Sequence, residues 1–191
     1  MWWGIVMVVA SVLVANQVAS QSAKAKGKAK PPSKEEQEAM MKKYMEMAAP
    51  GKAHKAMEQF VGRWETTVRA WMRGPGSPPS ESKGTTEVKS IFDGRFVVEE
   101  LSGQFMEMPF KGFGITGYDN FRKQYIGVWL DNMGTAMLTM QGHLDKSGKV
   151  LTMHGLMDEP MTGERNKKVK YVTRIVSKDK RVFELYAQLK R

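Results

Sequence analysis

Glu99 and Glu100 stand side by side in a run that alternates like a strand over residues 95–106, so alternation sends them to opposite faces. One of the two therefore points into whatever the sheet encloses. A carboxylate in an apolar cavity can anchor a ligand or act as a general base. Paired instead with an Arg of a neighbouring strand, it would be structural, and Arg174 is available. His143 and His154 lie on adjacent candidate strands joined by the Lys146–Gly148 turn, close to cross-strand positions. Two imidazoles make half a zinc site, which Glu100 or Asp131 would complete, and one His or Met could hold haem. Met45-Glu46-Met47 and Met106-Glu107-Met108 have the spacing of soft-ligand pairs for Cu(I). Yet there are 16 Met, spread over nearly every strand, and flexible thioethers are better suited to filling an adaptable apolar interior.

The segment Tyr118–Thr135 gathers Tyr118, Phe121, Tyr125, Trp129, Asp131, Asn132 and Thr135, a combination suited to a cavity wall with polar groups at its rim. Two aromatic-rich strands with turn-forming Asp119-Asn120 and Asp131-Asn132 would look the same. The candidate ligand-binding residues are Trp64, Glu100, Tyr118, Trp129, Met140, Met153, His154 and Arg174. No catalytic residue and no metal site is assigned, and neither haem nor metal is expected as a cofactor. Zero Cys excludes disulfides, thiolate metal sites and Cys nucleophiles. The chain contains no nucleophile elbow, phosphate loop, dinucleotide fingerprint, zinc-protease helix or EF-hand loop.

The elements that must position these residues change character along the chain. Residues 1–15 are almost uniformly apolar, too short a run to cross a bilayer comfortably, and small residues come after it. That pattern reads as a signal peptide over 1–22, cut near residues 20–23, with an uncleaved anchor as the competing reading because no Lys or Arg precedes the core. Export to the periplasm or medium is the expectation. Residues 23–32 form a Lys/Ala/Pro linker with no apolar face to bury. Its lysines could touch an anionic envelope surface weakly, or simply keep the tether soluble.

Residues 33–60 read as a helical segment. Ser33 is a natural N-cap, Glu35 and Glu36 occupy the first turn, and Met40, Met41, Tyr44, Met45 and Met47 form an apolar stripe. A second short helix over 53–60 ends at Gly62 and is placed to plug one end of the strand-rich region behind it. From 61 to 191 the period is two. Trp64, Thr66, Val68, Ala70 and Met72 alternate with Glu65, Thr67, Arg69 and Trp71. Further strands are predicted over 84–92, 95–106, 110–118, 123–131, 134–144, 149–157, 167–177 and 181–189, with turn residues between them. A run of strands without intervening helices predicts an all-β, antiparallel up-and-down barrel of about 8–10 strands, preceded by one or two short α-helices. A two-sheet sandwich fits the same pattern. Glycines within the strands permit the coiling that closure demands.

Net charge is +10, but basic residues are not clustered with interleaved aromatics, so nucleic acid is not an expected partner. Oligomeric state is not legible.

Gly62-Arg63-Trp64 after a short helix resembles the opening of lipocalins and other calycins. In that superfamily the Trp closes the barrel base beneath an Arg from a late strand, a part that Arg174 or Arg181 could play here. Longer stretches sharpen the likeness: Pro50 to Lys55, Phe60 to Glu65, Gly94 to Glu100, Phe110 to Asn120 and Lys123 to Thr135. Together they resemble the family of bacterial proteins known as domain of unknown function 1579, over roughly residues 50–188. The resemblance implies a calycin-like barrel, common in exported proteins, and supplies no catalytic residues. The expected role is binding of a small hydrophobic or amphipathic molecule in the barrel. An enzyme using the inward Glu, and an envelope interaction module with a packed barrel, are the alternatives.

Overall fold

The computed structural model describes residues 31–187 apart from Pro75, Met106 and Met161. The leader, most of the linker and the first half of the Met106/Met108 pair thus lie outside the described residues. The chain divides into two units, residues 1–45 and 46–191. A first helix, α1, runs Lys34–Ala48. Its start is a reciprocal capping box: the Glu36 N–H donates to Ser33 Oγ at 3.2 Å while the Ser33 N–H donates to Glu36 Oε2 at 2.7 Å. The Met and Tyr stripe of α1 is exposed. Among the described residues, no helix is long and apolar enough to cross a membrane.

Among its described residues, the unit from residue 46 onward contains a short helix, α2 (Lys52–Met57), a 3₁₀ turn (Glu58–Phe60) and nine strands. The strands are β1 (Gly62–Trp71), β2 (Ser80–Ile91), β3 (Phe96–Phe105), β4 (Met108–Asp119) and β5 (Gln124–Asp131), and then β6 (Leu138–Leu144), β7 (Val150–Glu159), β8 (Glu164–Ile175) and β9 (Lys180–Ala187). Each pairs with its sequence neighbour, and β9 pairs back onto β1, so the sheet closes into a barrel without free edges. The calycin-like expectation holds, with one correction. The barrel is not wholly antiparallel, because β1 and β9 run parallel from Glu65↔Lys180 to Trp71↔Tyr186. The cause is arithmetic: strands that alternate in direction leave the first and ninth pointing the same way, so an odd meander can close only through a parallel seam. A smaller departure is that residues 134–137 are not strand, and β6 begins at Leu138.

The registers fix which residues face inward. Trp64 lies opposite Thr86, Thr86 opposite Leu101, Leu101 opposite Gly112, and the same parity continues through Trp129, Met140, Met153, Tyr171 and Phe183. These positions form the core with Met57 and Phe60 from the helical segment. Two inward glycines are required by their neighbours. A Cβ at Gly112 would run into the Trp129 ring, and one at Gly114 would come within 3.1 Å of both Trp129 and Glu99. The Gly-x-Gly pair in β4 therefore hollows the wall where an indole and a carboxylate must lie.

Residues 47–60 seat on one end of the barrel. The Tyr125 hydroxyl donates to the Ala53 carbonyl at 2.9 Å, and Trp64 Nε1 donates to the Phe60 carbonyl at 2.8 Å. Asn120 Nδ2 reaches the carbonyls of Met47 and Ala49 at 2.6 and 2.9 Å, groups that a helix end leaves open. His54, Met57 and Phe60 are buried there, so the predicted plug has a physical basis.

Candidate functional site

Inside the barrel is a cavity of about 60 Å³. Met57 and Phe60 form its floor, while Val97, Trp129, Met140, Met153, Tyr171 and Phe183 supply most of its apolar wall. The aromatic side is built from contacts between β5, β8 and β9. Phe183 stacks near Trp129 with ring centres 6.2 Å apart and packs against Tyr171 at 5.5 Å. Trp129 is held by its Nε1–H, which donates to Asp131 Oδ2 at 3.0 Å.

One charged pair interrupts this wall. Arg181 on β9 is only 3% exposed, and its Nη1 donates to Glu99 Oε2 on β3 at 2.9 Å. Arg181 Nε donates to Thr66 Oγ1 at 3.1 Å, and Thr66 Oγ1 lies 2.7 Å from Thr86 Oγ1, both hydroxyls buried. The chain of four side chains ties β9, β1, β2 and β3 across the parallel seam. Burying the Arg181 charge beside a half-sheltered carboxylate is tolerable only with such bonding, since an unpaired ion in an apolar interior is costly.

Burial displaces the titration of His54, Tyr125, Tyr171 and Tyr186. The Tyr171 phenol is pushed far above its ordinary value by desolvation, with the nearby Asp131 charge adding to the effect. His54 is pushed below its ordinary value chiefly by burial; a backbone hydrogen bond with Tyr118 works against this, and the Arg95 charge works with it. Its Nδ1 accepts the Gly51 N–H at 3.0 Å, which a protonated ring could not do, and its ring meets Tyr118 edge-on at 5.8 Å.

The structure sorts the sequence-derived candidates. Trp129, Met140 and Met153 line the cavity. Trp64 is inward and buried, tied to Phe60, and Tyr118 is inward at the plugged end beside His54. Three placements are corrected. Glu100 faces outward into a groove with Arg63, Glu65, Glu87 and Ser102, and Glu99 is the inward carboxylate. Arg174 lies on the outer face, where its Nε donates to Glu184 Oε2 at 3.1 Å, so Arg181 is the interior arginine. His154 is exposed on the outer face near Trp71, Lys168, Lys170 and Tyr186. It pairs with Gln141, whereas His143 pairs with Thr152, so the two imidazoles are offset along the outer surface. Among the described residues, no group of three His, Asp or Glu side chains could hold a metal ion. Asp119 and Asn132 serve as local acceptors: Asp119 takes the N–H groups of Phe121 and Arg122, and Asn132 takes that of Lys111.

In the sequence, Glu99 and Arg181 stand only as alternatives, and nothing there singles out His54. The parity of neighbouring side chains was the available signal. Glu99 shares its face with Val97 and Leu101, and Arg181 shares its face with Phe183 and Leu185.

A family model described as a protein of unknown function, DUF1579, matches residues 49–191. No curated protein matches the chain.

Proposed function

Starting from the chain's membership of the DUF1579 family, which brings a barrel but no chemistry, we propose that this is a binding protein that takes a small apolar or amphipathic molecule inside the barrel. The observation that carries the reading is a plugged, apolar cavity with one part-buried ion pair in its wall. Small-molecule sites combine apolar lining with a few fixed polar groups in this way. The apolar residues 1–15 support action outside the cytoplasm, in the periplasm or the medium. Glu99 already spends one oxygen on Arg181, which favours an anchoring role over that of an acid/base in an enzyme.

Size argues for the second reading. Sites for drug-sized ligands run to roughly 300–1,000 Å³, and a cavity of about 60 Å³ is far below that. A barrel packed this closely also suits an interaction module that binds nothing small. Met57, Met140 and Met153 are the walls most able to give way, because thioether chains repack readily.

Native mass spectrometry of the full chain purified from its own host separates the two. A bound mass that disappears on unfolding supports the binding protein. A bare chain, together with no change in Trp fluorescence when short alcohols or fatty acids are added, supports the interaction module.

A further inference from the structure

The binding reading says nothing about which polar end the cavity accepts, and the interior pair bears on that question. Glu99 and Arg181 are the only charged side chains in the cavity wall among the described residues, and they neutralise one another at 2.9 Å. Arg181 uses Nη1 on Glu99 and Nε on Thr66, and Glu99 uses Oε2 on Arg181. The bonds between them leave Arg181 Nη2 and Glu99 Oε1, a donor and an acceptor on one neutral unit.

An entering carboxylate would bring a second negative charge beside Glu99, with the matching positive charge already spent. An ammonium would meet the mirror problem at Arg181. Either ion would lose its water without a free counter-charge, which is the expensive way to bury a charge. A hydroxyl or primary amide avoids this cost, because it can both donate to Glu99 and accept from Arg181. We infer that, within the binding reading, the cavity selects ligands whose polar end is uncharged, an alcohol or primary amide on a short apolar body, and rejects carboxylates and amines of the same length.

The test uses the full chain at pH 7 with 1-hexanol, hexanamide, hexanoate and hexylamine, monitored by isothermal titration and Trp fluorescence. Hexanol and hexanamide are expected to bind on the order of tenfold more tightly than hexanoate and hexylamine. Glu99→Gln frees the Arg181 charge and is expected to reverse the order of hexanol and hexanoate. If hexanoate binds the native chain as tightly as hexanol, the inference is overturned while the binding reading stands. If none of the four binds, the binding reading falls and takes the inference with it. Should Glu99→Gln fail to fold, the ranking on the native chain still decides.

Discussion

Arg181 and Glu99 meet at 2.9 Å inside the barrel although 82 positions separate them in the chain, one on the last strand and the other on the third. Their bond bridges the seam where β9 returns to β1, with Thr66 and Thr86 bonded on the intervening strands. The pair is thus both a feature of the cavity and a fastening of the closed sheet.

Breaking that fastening from one side should be costly. Arg181→Met leaves Glu99 without its partner and removes the donor to Thr66, and is expected to destabilise the chain by about 3 kcal/mol. Replacing both residues with Met should restore part of the loss, because no lone charge remains inside. Urea unfolding of the two single variants and the double variant gives the coupling; additive losses would show that the two side chains act independently.

Gly112 makes room for an indole, so Gly112→Ala is expected to cost about 1–3 kcal/mol through overpacking and to shift Trp emission. Gly134→Ala is the control, because nothing lies within 4 Å of a Cβ at that position. Thermal unfolding monitored by fluorescence should separate the two variants clearly. Equal melting temperatures would show that the β4–β5 wall yields easily.

Acid should loosen the plugged end through His54. The unfolded chain takes up a proton near the ordinary value of 6.5, whereas burial holds the folded ring neutral to a lower pH. The unfolded state therefore binds more protons in that interval, and stability is lost as pH falls from about 6.5 toward the lowered folded value. His54→Gln removes this dependence. Melting temperatures of both proteins between pH 7.5 and 5 should converge as pH falls, and parallel curves would show that His54 does not contribute.

The alternation in β1 was legible because Trp64, Thr66 and Ala70 are buried while Glu65 is charged and exposed. In β3 the signal is weaker: Val97 and Val98 occupy both faces, and so do Glu99 and Glu100, which leaves Leu101 and Ser102 to set the parity. The same ambiguity affects β8, where Val172 on the outer face is as buried as the inward residues and disguises the side on which Arg174 lies. Adjacent residues of a regular strand cannot share a face, so Met153 and His154 could not both have lined one cavity. The parallel seam was harder to read. It depends on whether the strand count is odd or even, and local pattern places strands without counting them to better than one or two. The Arg181–Glu99 bond was invisible for a related reason, because it joins residues that only closure brings together.

The return of β9 to the first strand also sets the order in which the molecule can be completed. A chain emerging from its amino end can form hairpin after hairpin, yet the ring stays open until the final stretch, residues 180–187, arrives to pair with both β8 and β1. Until then two bare rims are available to any other copy with the same unfinished sheet. Losing that stretch would turn a self-contained shell into an adhesive ribbon.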